Sequence, residues 1–106
     1  MLFRSLRAAN ARFLARRAGR YAVHLDLGGT KALGAWPIAR VICDARPLGD
    51  IELDGPGPRR YDLEVTLPAG THVLAVSFTN DVFEPPEDRD MTLAGGWLEL
   101  LPPRIY

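Results

Sequence analysis

The chain has 106 residues, of which 47% are hydrophobic and 25% are charged, and its formal net charge is zero. This length suits one domain with a two-layer core, and the neutral balance gives no indication of a nucleic-acid partner. Its one cysteine, Cys43, excludes an intramolecular disulfide and any zinc cluster built from cysteines.

The first 20 residues carry six arginines and no acid. Apolar residues between these arginines fit a helical stripe, which would form a basic amphipathic helix on a membrane surface. No apolar run of about 20 residues occurs, so we expect no transmembrane segment, and the start lacks the pattern of a signal peptide.

The rest of the chain predicts strands. Residues 21–27 and 61–67 alternate apolar with polar side chains, which is the period of a half-buried strand. Further strands are predicted at residues 38–44, 51–53, 72–79, 91–93 and 97–100, with a turn at 46–49 and a bulge or bend at 94–96. We therefore predict an all-β fold, a single β-sandwich domain of the jelly-roll type over residues 11–101, with a C-terminal tail at 102–106.

Five carboxylates fall within residues 80–90, where a strand-like run ends. Calcium takes six to eight oxygen ligands, and a short loop can wrap carboxylates around one ion. An acidic turn stiffened by Pro85-Pro86 and exposed to water would have the same composition. The residues alone leave both interpretations open.

Asn80-Asp81 after an apolar strand, followed by Asp88-Arg89-Asp90, resembles the F-x-N-D…D-R-N loop of calcium-dependent xylan-binding modules. Upstream pieces fall in the same order as in that family. They are Gly19-Arg20-Tyr21, Gly29-Thr30, Trp36-Pro37, Tyr61 and Ala69-Gly70-Thr71-His72. The resemblance covers residues 11–100 and implies a non-catalytic β-sandwich that binds xylan or a related polysaccharide through calcium. It also places a strand near residues 12–15, so we predict a strand over residues 11–17, preceded by a basic segment, residues 1–10, that is helical or disordered.

The resemblance also implies roles for single residues. Asp81 and Asp88 would be metal ligands, with Asp90 standing where the family usually has Asn, and Glu84 as a supplement. The side chains expected at the glycan are Asn80, Phe83, Trp36 and Arg89. The family usually carries another Asp shortly before its last strand, where this chain has Ala94-Gly95-Gly96. By resemblance the protein would be extracellular or periplasmic, and part of or associated with a larger protein, although the chain shows no signal peptide.

Two alternatives belong to other classes. An accessory β-sandwich without a working calcium site would have the same strands. Residues 25–31 also resemble the first phosphate-binding loop of sugar kinases, although the second lobe, the second glycine-rich loop and the paired cysteines of such kinases are missing. No carboxylate pair stands out as the acid and nucleophile of a glycosidase, so we do not expect an enzyme.

Overall fold

The computed structural model of the protein describes residues 8–103, and these residues form strands and no helices. The nine strands are β1 (Ala8–Ala15), β2 (Gly19–Gly29), β3 (Ile38–Cys43), β4 (Arg46–Glu52), β5 (Arg59–Leu67), β6 (Gly70–Phe78), β7 (Val82–Glu84), β8 (Glu87–Arg89) and β9 (Met91–Leu100). Within the described residues, no helix could therefore cross a membrane.

Two antiparallel sheets carry the fold. One has four strands in the order β1-β6-β3-β4, the other has three in the order β5-β2-β9, and β7 pairs only with β8 in a small hairpin. The predicted all-β sandwich is confirmed. Its description as a jelly roll stays a prediction.

The core lies between the two sheets. On the central strand β2, Val23, Leu25 and Leu27 are 1%, 2% and 0% exposed, so every second residue points inward as the sequence pattern predicted. They pack in one cluster with Val41 of β3 and Val76 of β6, which come from the other sheet. Burial of these side chains is the main force that holds the two sheets together.

The turn between β3 and β4 differs from the prediction. Asp44 and Ala45 have positive φ angles of 51° and 67°, and β4 starts directly afterwards at Arg46. The predicted turn at residues 46–49 is therefore wrong. Two consecutive left-handed residues give the twist that a two-residue hairpin requires. The register between β3 and β4 shifts between Val41 and Ile42, next to Pro47, which has no backbone N–H to donate to the ladder.

Both ends of the chain add strands to the sheets. β1 begins at Ala8, three residues before the predicted start, so a helix is wrong for residues 8–15, and residues 1–7 lie outside the described residues. At the other end, β9 runs continuously from Met91 to Leu100 and shifts register opposite Asp26 and Leu27. The bulge predicted at residues 94–96 is confirmed there.

The core makes a direct stability prediction. Leu27→Ala removes a fully buried side chain and leaves a cavity, so it should lower the free energy of unfolding by about 2–5 kcal/mol. Leu33→Ala changes the same atoms at a position that is 54% exposed, and should cost less than about 0.5 kcal/mol. Urea unfolding measures both, and equal losses would contradict this core.

His24 bridges three strands on the opposite face of the β5-β2-β9 sheet. Its Nδ1 lies 2.5 Å from Asp62 Oδ1 of β5, and its Nε2 lies 2.9 Å from Glu99 Oε1 of β9. The Asp62 bond first, and then the Glu99 bond, raise the pKa of His24 above its ordinary value of 6.5, while burial and nearby Arg60 lower it by less. The folded protein therefore holds the His24 proton more tightly than the unfolded chain does.

This proton makes stability depend on pH. Because the folded-state pKa is raised, the stabilisation by His24 is complete below pH 6.5 and is lost as the pH rises through the folded pKa. We expect the difference in unfolding free energy between wild type and His24→Gln to become smaller as the pH rises from 6.5 through the folded-state pKa. Urea unfolding between about pH 5.5 and 9 checks it, and a constant difference would show that His24 gains no proton affinity on folding.

Candidate metal site at the acidic hairpin

The acidic stretch is more regular than the loop expected from the sequence. β7 and β8 pair antiparallel, with Val82 opposite Arg89 and Glu84 opposite Glu87, and Pro85-Pro86 form the connection. Pairing of the two short strands brings the residue before β7 close to the residue after β8. Asp81 precedes β7, and Asp90 follows β8 directly.

Arg89 anchors this hairpin to the rest of the domain. Its side chain is buried, at 8% exposed, and donates from Nε to Ala35 O at 3.0 Å and from Nη2 to Ala32 O at 2.6 Å. The remaining nitrogen, Nη1, donates to Asn80 O. A guanidinium presents its donors in a rigid planar fork, so one side chain fixes the turn at residues 32–35 and the start of the hairpin together.

Asn80 ties the segment before β7 to the start of β3. Its Oδ1 accepts from Ile38 N at 2.7 Å, and its Nδ2 donates to Trp36 O at 3.0 Å. The amide thus satisfies backbone groups next to the start of β3 that no strand partner reaches. Trp36 itself is half-buried against the main core, and Pro37 is fully buried.

Gly29 and Thr30 join the end of β2 to the end of the hairpin. Thr30 Oγ1 donates to Asp88 O at 2.9 Å and accepts from Asp90 N at 2.9 Å, while Thr30 N donates to Asp90 O at 2.9 Å. A Cβ on Gly29 would lie 2.3 Å from Asp90 O, so only glycine allows this close approach. The backbone of residues 88–90 is therefore held firmly by bonds that do not use the Asp88 carboxylate.

Asp88 has the side chain that most favours a cation site. The side chain is half-buried, and its Oδ1 is shielded from solvent without a hydrogen-bond partner among the described residues. Burying an acceptor unpaired costs about 1–3 kcal/mol, and more when it is charged. Asp90 Oδ1 is also shielded from solvent, Asp81 is half-buried and Glu84 is exposed. Shielded carboxylate oxygens on a fixed backbone suit a hard cation such as calcium.

The carboxylates of the hairpin do not form a compact cluster by themselves. Among residues 8–103, three ligand atoms of His, Cys, Asp or Glu lie within 4.8 Å of one another only at Cys43, Asp44 and His72. A calcium ion at the hairpin would therefore use backbone carbonyls and water in addition to carboxylates, which is common for this ion.

The structure places the predicted glycan residues in different surroundings. Asn80 and Arg89 use their side chains to hold backbone groups, as described above. Trp36 stands half-buried beside them, and Phe83 lies in β7, where its side chain is outside the described part of the chain. No sequence pattern indicates that Arg89 is buried, because two of its three carbonyl partners lie 54 and 57 residues away in the chain.

The kinase-like motif at residues 25–31 has another role. Residues 25–29 belong to β2, the central strand of the three-stranded sheet, and no helix follows within the described residues. The phosphate-binding loop of such a kinase belongs to a two-lobed fold that contains helices, and the described residues of this domain form strands alone. The interpretation as a sugar-kinase fragment is therefore wrong.

The role of Arg89 can be tested by a conservative change. Lysine keeps the charge but concentrates its donors on one nitrogen, so Arg89→Lys leaves buried carbonyls unpaired and should cost about 2–4 kcal/mol of unfolding free energy. Arg40 also makes two bonds, to Asp50, but at an exposed site, so Arg40→Lys should cost less than about 1 kcal/mol. Similar losses in urea unfolding would contradict the anchoring role.

Comparison with known proteins finds a family whose model matches most of the chain. A family model described as "Ca-dependent carbohydrate-binding module xylan-binding" matches residues 22–94, a span that contains Thr30, Asn80, Asp88 and Arg89. None of the curated proteins matches the chain. Because the match covers most of the chain and the fold is an all-β sandwich, the chain belongs to the family of calcium-dependent xylan-binding carbohydrate-binding modules.

Proposed function

We propose that this protein is a non-catalytic module that binds xylan or a related polysaccharide through a calcium ion at the acidic hairpin. One observation carries the proposal: Asp88 Oδ1 is shielded from solvent and has no hydrogen-bond partner among the described residues. Family membership supplies the class of ligand. The chemistry of the donors, all of them carboxylate and carbonyl oxygens, supplies the class of metal.

In this proposal the chain's residues divide into ligands and supports. Asp88 and Asp90 supply carboxylate oxygens next to the fixed backbone, and Asp81 and Glu84 supply further ones from the start and the tip of the hairpin. Arg89 supports the site because it donates to the carbonyl of Asn80, at the start of the hairpin. When bound, calcium offers open coordination positions to vicinal sugar hydroxyls.

Aromatic side chains would complete the glycan site. Trp36 is half-buried, and the bond from Asn80 to its carbonyl ties it to the segment that begins the hairpin. Phe83 lies in β7 between the proposed ligands Asp81 and Glu84. We propose that these two rings offer apolar surface to the faces of the sugar rings, as aromatic side chains do in many binding sites.

Family membership also carries the proposals on location and context. Modules that act on plant cell-wall polysaccharide work outside the cytoplasm, so we propose an extracellular or periplasmic site of action, within or beside a larger protein. No pair of carboxylates in the sequence stands out as the acid and nucleophile of a hydrolase. Purified protein should therefore release no sugar from xylan.

Affinity electrophoresis in gels containing xylan tests the proposal. We expect xylan to retard the wild-type protein with calcium and not with a chelator, because the ion links protein and sugar. Asp88→Asn should abolish the retardation. Glu52→Gln removes an exposed carboxylate on β4 and should leave it unchanged.

The opposite outcomes distinguish the alternatives. Retardation that persists in chelator would mean that the glycan binds without the ion. If the folded wild-type protein is not retarded by xylan with or without calcium, the result would favour an accessory sandwich whose hairpin binds no ligand.

A further inference from the structure

A second group of possible metal ligands lies outside the acidic hairpin, at the end of β3 in the four-stranded sheet. Cys43 ends β3, Asp44 occupies the left-handed turn that follows, and His72 lies on β6, the neighbouring strand. Their ligand atoms all lie within 4.8 Å of one another. Cys43 and His72 are 3% and 5% exposed, whereas Asp44 faces solvent.

The hydrogen-bond partners of His72 require a positive charge between its Nδ1 atom and the Asp44 carboxylate. Its Nε2 lies 2.8 Å from Pro68 O, which can only accept, so Nε2 carries a hydrogen. Nδ1 lies 2.5 Å from Asp44 Oδ2. With Nε2–H assigned, a neutral ring would turn a lone pair toward the carboxylate, so either a proton or a metal ion must lie between these atoms. A carbonyl that orients the far nitrogen is the usual support of a metal-bound histidine.

We propose that Cys43 Sγ, Asp44 and His72 Nδ1 bind a divalent transition metal ion, with Zn²⁺ as the best fit. Thiolate, imidazole and carboxylate are its usual protein ligands, and calcium prefers oxygen alone. Tetrahedral zinc at its normal bond lengths separates such atoms by about 3.3–3.6 Å, which lies inside the observed 4.8 Å limit. The Nδ1 to Oδ2 distance would have to open by a little under about 1 Å.

The turn allows that movement and provides a route for the ion. Asp44 is exposed, so its carboxylate can rotate outward and an ion can enter from solvent at this side. Its other oxygen, Oδ1, accepts from Val73 N at 2.9 Å and keeps the turn tied to β6. On binding, the ion replaces the Cys43 thiol proton and the proton between His72 and Asp44, and both protons leave to solvent.

Titration of the whole chain with Co²⁺ tests the site, because a cobalt–thiolate bond gives a near-ultraviolet charge-transfer band and zinc is spectroscopically silent. Cys43 is the one cysteine in the sequence, so a band in the wild-type protein can arise only there. We expect a band that saturates at one Co²⁺ per chain and that Zn²⁺ removes by competition. A folded wild-type protein without this band would overturn the proposal.

Three variants separate the site from a thiol that binds metal alone. His72→Gln should lose the band, and Asp44→Asn should weaken Co²⁺ binding while its side-chain oxygen still accepts from Val73 N, so this variant tests the site even if His72→Gln fails to fold. His24→Gln removes the other buried histidine that bonds to carboxylates and should keep the band. A band unchanged in both His72→Gln and Asp44→Asn would overturn the three-residue site.

Discussion

The buried guanidinium of Arg89 is the contact on which the candidate site depends. It donates to carbonyls at residues 32, 35 and 80, which come from two separate connections of the sandwich. Burying a charge without partners would be costly, and here every nitrogen of the group has an acceptor. The same bonds that satisfy Arg89 hold the acidic hairpin against the turn at residues 32–35, so they contribute both to the stability of the hairpin and to the position of its carboxylates.

Around Arg89, uncharged side chains satisfy the backbone groups that strand pairing does not reach. Asn80 bonds to both sides of the Trp36-Pro37 step, and Thr30 bonds to residues 88 and 90. The carboxylate of Asp88 is not needed for these tasks, and one of its oxygens is shielded without a hydrogen-bond partner among the described residues. Arg89, Asn80 and Thr30 support the backbone, which leaves the Asp88 carboxylate for a cation, and this division is the physical argument for the proposed calcium site.

Alternation of apolar residues was enough to predict the strands at residues 21–27 and 61–67, because in each strand every second residue is an apolar side chain that packs into the core. It could not locate the turn at Asp44-Ala45, whose left-handed residues are not the Asn-Gly or Asp-Gly pair that marks such hairpins. The motif around Asp88 indicated the candidate metal site, but the burial of Arg89 and the meeting of Cys43 with His72 depend on which strands pair. The sequence pattern predicts that both histidines are ordinary strand residues. In the structure each is buried beside a carboxylate.

Isothermal titration of the purified protein with calcium tests the central claim most directly. The account predicts that one calcium ion binds per chain, and that Asp88→Asn abolishes the heat of binding without unfolding the protein. A folded wild-type protein that gives no heat at any of several temperatures and does not retain calcium in equilibrium dialysis would contradict the account. The shielded oxygen of Asp88 would then be a structural cost that the fold carries without a metal ion.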